Sequence, residues 1–123
     1  METKDAIRCL PRSVQLRSKS DYAHVYANGV RVRGKYMRIV AAFSTANVGA
    51  RMGLSVSRKF NPKAVQRNRV RRVLRSAFRL QRHSLPAFDL VLIPTNRQLN
   101  YRTPVIEAEL IKLIAKAEKL LHE

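Results

Sequence analysis

The residues best equipped for chemistry are guanidinium groups at helical spacing, in the segment Lys63-Ala-Val-Gln-Arg-Asn-Arg-Val-Arg-Arg-Val-Leu-Arg-Ser-Ala-Phe-Arg79. An arginine fork binds phosphate oxygens bidentately and stacks on flat rings, so such a row suits a polyanion better than it suits mere solubility. At about 100° per residue, Val70, Val73, Leu74, Ala77 and Leu80 share one arc with Phe78 at its edge. Asn68, Arg71, Arg72, Arg75, Arg79 and Arg82 fall opposite, and Arg67 and Arg69 flank the apolar stripe. No acid is placed to form i, i+4 pairs along this helix, so its arginines repel one another until a polyanion arrives. Arg58, Lys59 and Lys63 add cations just before it.

The rest of the chain sharpens that contrast. Between Asp21 and Asp89 there is no acidic residue, yet the stretch holds 15 of the 25 Lys and Arg. A net charge of +17 and a pI of 11.4 are the footprint of a nucleic-acid partner. Hydrolytic chemistry is harder to find. Metal-dependent nucleases gather carboxylates, and metal-free ones use histidine as acid and base. Here five of the eight acids follow residue 88, and His24, His83 and His122 have no ligand spacing. Cys9 is the one cysteine, which excludes an internal disulfide and any zinc site needing two. No apolar run approaches a membrane span and no secretory signal opens the chain, so the cytoplasm is the expected compartment and no membrane partner is expected.

These residues need a scaffold, and the hydrophobic pattern supplies one: residues 1–13 as a flexible basic arm, then a single domain over 14–123. Ser18 and Asp21 read as a capping box for a helix ending at Asn28-Gly29, with Tyr22, Val25 and Tyr26 on one face. Residues 35–43 alternate as a strand, Met37, Ile39, Ala41 and Phe43 against Tyr36, Arg38, Val40 and Ala42. Residues 51–57 alternate again, Met52, Leu54 and Val56 against Gly53, Ser55 and Ser57. A shorter strand near 30–33 is the least distinct. The basic helix spans about 63–81, an apolar strand 88–93, and a packing helix about 103–121 with Thr103 as N-cap and Pro104 first inside. The expected class is α+β, a small sheet packed with helices. The strand–helix–strand piece from Arg51 to Ile93 makes its two strands candidates for parallel neighbours.

The motifs Gly53-Leu-Ser-Val-Ser-Arg-Lys59, Ala64-Val-Gln-Arg-Asn-Arg-Val-Arg-Arg-Val-Leu-Arg75 and Ala77-Phe-Arg79 resemble the bacterial ribonuclease P protein component. Leu16-Arg-Ser-Lys-Ser-Asp-Tyr-Ala-His-Val-Tyr26 is similar to that family's first helix. The resemblance implies an α-β-β-β-α-β-α order whose strand–helix–strand crossover is left-handed, against the usual rule. It implies a subunit of a ribonucleoprotein endonuclease in which a large RNA removes the 5′ leader from precursor tRNA. Magnesium would then be held mainly by RNA phosphates rather than by protein side chains. On this likeness Arg58, Lys59, Lys63, Arg67, Asn68, Arg69, Arg71, Arg72, Arg75 and Arg79 face the ribonuclease P RNA. Tyr22, Tyr26, Tyr36, Arg38, Val40, Ser55 and Ser57 line the leader groove. Tyr22 and Tyr26 stand where the family usually has Phe, Ser76 where many members carry an acid, and Asn61-Pro62 where many have glycine.

Two other readings stay open on the residues alone. A structural, ribosomal-type RNA-binding protein has the same composition; the two motifs and the tyrosine pair speak against it. A DNA-binding regulator needs a helix–turn–helix neighbour or a dimer seam beside the basic helix. A strand and loop precede the helix instead, so DNA is not the expected partner. An aromatic i, i+4 pair such as Tyr22 and Tyr26 is, as a bare pattern, more often core than binding surface. Beside cations it is also how single strands are held without sequence preference.

Overall fold

A computed structural model describes residues 12–46 and 48–122. The basic arm expected over 1–13 and Cys9 therefore lie largely outside the described residues; Arg12–Val14 already form a 3₁₀ turn. Ser18 starts helix α1 (Lys19–Asn28) by the reciprocal cap its sequence predicts: Ser18 Oγ accepts from Asp21 N–H at 3.1 Å, and Asp21 Oδ2 accepts from Ser18 N–H at 3.3 Å. Arg17 N–H donates to the same oxygen and is the main cause holding the Asp21 carboxyl below its ordinary value. The helix stops at Gly29, though not through a left-handed cap, since its φ is −89°. A Cβ there would lie 2.5 Å from the Val25 carbonyl oxygen and 2.9 Å from that of Ala41, so the missing side chain permits a close pass against the sheet.

Strands β1 (Val30–Arg33), β2 (Met37–Phe43), β3 (Arg51–Leu54) and β4 (Phe88–Pro94) form one mixed sheet in the order β1-β2-β4-β3. β1 and β2 form an antiparallel hairpin, β4 runs antiparallel to β2, and β3 pairs parallel with β4 as the strand–helix–strand reading expects. Helices α2 (Ala64–Gln81) and α3 (Thr103–Leu121) cover one face of the sheet, and α1 covers part of the other. The larger core joins Met37, Ile39, Met52, Leu90 and Leu92 to Leu74 and Phe78 of α2 and to Ile106, Leu110 and Leu113 of α3. The smaller one sets Val25 of α1 and Leu16 on Val40, Ala42 and Val91.

Several boundaries differ from the pattern-based expectation. Thr103 is the first helical residue of α3 rather than its N-cap, which is Arg102. β3 ends at Leu54; Ser55 N–H still donates to Leu92 O, and the chain turns at Ser57, whose carbonyl accepts from Phe60 N–H. In α2, Phe78 is fully buried at the centre of the apolar face while Leu80 is 53 % exposed, so the buried arc is centred further toward Leu74 and Phe78 than the wheel suggests. The hairpin turn before β2 is secured from α3: Glu109 Oε1 and Oε2 accept from the N–H groups of Lys35, Tyr36 and Met37 at 2.7–3.1 Å.

Candidate nucleic-acid interface

The apolar arc of α2 is buried against the sheet and α3, and the fold thereby turns the arginine row outward. Arg72 and Arg75 are exposed and have no hydrogen-bond or ion-pair partner among the described residues. Together with Val65, Asn68 and Arg71 they line an open groove of about 420 Å³. Arg71 is held in place: Nη1 donates to Asn68 Oδ1 at 2.8 Å and Nη2 to Val56 O at 3.3 Å. The Asn68 oxygen is thereby engaged, and its amide N–H₂ is left for a ligand. Four of the ten residues placed on the catalytic-RNA face, Asn68, Arg71, Arg72 and Arg75, thus share one surface.

The remaining six are dispersed. Arg67 folds back, Nη1 donating to the carbonyls of Asn61 and Pro62 at 3.0 Å, so it fastens the loop that leads into α2. Arg58 and Lys59 are exposed in the turn after β3, and Arg79 is half-buried. Lys63 and Arg69 line hollows on the other side of α2, shared with Arg97. Arg82, counted on the outward arc, instead clamps the chain before β3, donating to Val48 O and to Ala50 O.

The second candidate surface is the sheet face beside α1. Strand register puts Arg31 with Val40 and Arg33 with Arg38. Since Val40 packs under α1, these arginines lie on that same face, with Ile93 opposite Arg38 on β4. Arg31 sits 5.9 Å from the centre of the Tyr26 ring. Tyr22 reaches the other edge. Its hydroxyl accepts from Leu54 N–H at 3.2 Å and lies 3.4 Å from Leu54 O, and its ring rests on Gly53, where a Cβ would be 2.5 Å from the phenol oxygen. With Leu16 N–H donating to Met52 O, this caps the outer edge of β3. A small hollow of about 130 Å³ lined by Gln15, Tyr22, Gly53, Arg71 and Arg75 connects this face to the arginine groove.

Two expected groove residues are corrected. Val40 is 1 % exposed beneath α1 and cannot touch a ligand. Tyr36 precedes the first residue of β2, so the strand alternation does not extend to it. It packs instead with the α2–α3 core, edge-on to Tyr101 at 5.4 Å. Arg38 is exposed on the proposed face; Ser55 is half-buried at the end of β3, and Ser57 is exposed in the turn beyond. Arg31 and Arg33 were missed although Val30-Arg-Val-Arg33 alternates, because a four-residue strand gives so short a signal.

Acids nearby are internally engaged. Asp89, fully buried, takes Arg51 in two bonds, Nε to Oδ1 at 2.8 Å and Nη2 to Oδ2 at 2.7 Å, which holds the Arg51 guanidinium more firmly protonated. Asp21 caps α1, and Glu109 holds the hairpin turn. The surface cations therefore face solvent with little opposing charge, the condition for attracting a polyanion. Among the described residues no three His, Cys, Asp or Glu side chains gather to hold a metal, and no helix is long and apolar enough to cross a membrane.

The sequence model of the family described as Ribonuclease P matches residues 10–118. A ribonuclease P protein component of Pseudanabaena is 35 % identical over 114 residues, covering 92 % of this chain and 97 % of that one. One from Xanthomonas oryzae is 30 % identical over 120 residues, covering 98 % and 81 %. Among solved structures, a mutant RNase P protein of Staphylococcus aureus superposes with a TM-score of 0.76 at 22 % identity, covering 87 % of this chain and 90 % of that one. The RNase P protein of Thermotoga maritima superposes with a TM-score of 0.70 at 25 % identity, covering 83 % and 96 %.

Proposed function

This chain belongs to the ribonuclease P protein family, and we propose that its outward arginine helix is the seat for the enzyme's RNA. As a ribonuclease P protein component it is a subunit of an endoribonuclease that works in tRNA 5′ maturation, in complex with RNA. The observation that carries the finer reading is the groove of Asn68, Arg71, Arg72 and Arg75, which offers N–H donors and no acid. Phosphate diesters are acceptors only, so a donor-only wall matches them. Cleavage belongs to the RNA in this reading, and magnesium sits on RNA phosphates; this chain orders, neutralises and positions.

The 5′ leader of precursor tRNA then lies along the sheet face, over Arg31, Arg33, Arg38 and Ile93, with the Tyr26 ring as its stacking platform. Tyr22 borders that path, but its hydroxyl is tied to β3. The adjoining hollow at Tyr22 and Arg75 makes the two surfaces continuous, as a substrate entering from an RNA-bound active site requires. This work belongs in the cytoplasm.

The test compares affinity of the reconstituted complex for precursor and for mature tRNA. Tyr26→Ala and Arg33→Ala should weaken precursor binding several-fold and leave mature tRNA unchanged. Base stacking is worth about 1–3 kcal/mol, which sets that scale. Equal losses on both RNAs would remove the leader from this face.

A further inference from the structure

The loop after β4 holds an arginine that the two surfaces above do not use. Arg97 is exposed and has no hydrogen-bond or ion-pair partner among the described residues. It stands over a groove of about 440 Å³ on the far side of the start of α2, whose walls are Asn61, Pro62, Lys63, Gln66, Arg97 and Gln98. Two cations and three amides line it, and no carboxylate. Asn61 Oδ1 accepts from Lys63 N–H at 3.0 Å, which leaves the Asn61 N–H₂ free to donate into the groove.

The loop that presents Arg97 is built rather than loose. Asn96 Oδ1 accepts from Gln98 N–H at 3.0 Å, closing a turn around Arg97. Tyr101 at the loop's end donates its hydroxyl to Tyr36 O at 2.6 Å and meets Phe60 edge-on at 5.8 Å. Burial pushes the Tyr101 phenol up from its ordinary 10.0, so it stays a donor at neutral pH. Phe60 belongs to the loop that leads into α2, so the Phe60–Tyr101 contact fixes both walls relative to each other. A cation on a fixed wall loses less conformational freedom on meeting a ligand than one on a mobile loop.

We propose that this groove is a second RNA-backbone contact, holding a phosphate between Arg97 and Lys63. The partner RNA seated on Asn68–Arg75 would thereby be followed around the start of α2 and gripped from both sides of the helix. The inference rests on the reading that α2 seats that RNA. A face kept only for solubility would mix acids among its cations; this one sets two cations and no carboxylate around one hollow.

The experiment measures binding of a bacterial ribonuclease P RNA transcript to the full chain across a salt series, for wild type, Arg97→Ala and Arg75→Ala. Arg97→Ala should bind about 3- to 10-fold more weakly at low salt, with the slope of log K against log salt lower by about 1. Its thermal unfolding should match wild type, since Arg97 supports no other residue. Wild-type affinity and slope for Arg97→Ala, alongside a loss for Arg75→Ala, would overturn the groove and leave the α2 reading standing. No loss for either variant would overturn the α2 reading itself. A deficit seen only when the assembled complex binds precursor tRNA would overturn the assignment to the partner RNA.

Discussion

Replacing both Arg72 and Arg75 with alanine separates binding from folding. Both side chains are exposed and neither is bonded to another described residue, so the fold has no stake in them. Arg67 is the internal contrast, because Nη1 bonds two carbonyl oxygens and the loop before α2 depends on it. Each lost phosphate contact lowers the slope of log K against log salt by about 0.7–0.9, so the double variant should lose about 1.4–1.8. Its affinity deficit should then shrink about 7- to 12-fold when salt rises from about 50 to about 200 mM, because the wild type sheds more of its advantage. Arg67→Ala should instead lower stability by about 1.5–3 kcal/mol, the scale of hydrogen bonds that involve a charged group. The assay is filter or fluorescence binding to a ribonuclease P RNA across salt, with urea unfolding of the same proteins. An unchanged slope in the double variant would refute the outward arginine surface as the RNA seat. So would a stability loss in the double variant as large as that of Arg67→Ala.

Three further outcomes follow from other parts of the molecule. Tyr22→Phe removes the hydroxyl that pairs with Leu54, and should cost about 1 kcal/mol in urea unfolding while precursor binding holds; unaltered stability with weakened binding would mean the hydroxyl serves RNA instead. Glu109→Ala leaves the amides of Lys35, Tyr36 and Met37 without their acceptor and should cost about 3 kcal/mol, read as a lowered urea midpoint. The Asp21 carboxyl titrates below its ordinary 3.8, so its contribution is present above that pH and lost as pH falls through the lower, folded-state value. Asp21→Asn should therefore flatten the acid limb of stability against pH, and an unchanged limb would show that the cap is not linked to protonation.

Much of the fold was legible because its signals are local. The Ser18–Asp21 cap, the spacing of Ile106, Leu110, Leu113 and Ile114, and the apolar run of β4 each specify an element without help from elsewhere. The parallel pairing of β3 with β4 was open as a possibility because a helix separates the two strands. The arginine surface was legible for the same reason as the helix: burial of Val70, Leu74, Ala77 and Phe78 fixes where the other side points. Non-local facts were out of reach. No pattern in the sequence says that Arg67 would bend back onto Asn61 and Pro62, or that Arg82 would clamp the loop before β3. Tyr36 was misplaced because strand alternation was extended one residue into a turn that Glu109, on a distant helix, holds in shape. Val40 was assigned the correct face, but α1 covers it. Asp89 sits in a strand that reads as wholly apolar around it, and only its register partner Arg51 explains how a buried carboxylate is tolerated.

On this reading the chain promotes RNA-catalysed removal of the tRNA leader through its arginine surface. The direct measurement is cleavage of a precursor tRNA by a bacterial ribonuclease P RNA at low magnesium, with no protein, with wild type, and with the Arg72→Ala/Arg75→Ala variant. Wild type should stimulate cleavage strongly at the leader junction, the variant should stimulate it much less at equal concentration, and protein alone should cleave nothing. Tight RNA binding by wild type with no stimulation would contradict this reading and point to a purely structural RNA-binding protein.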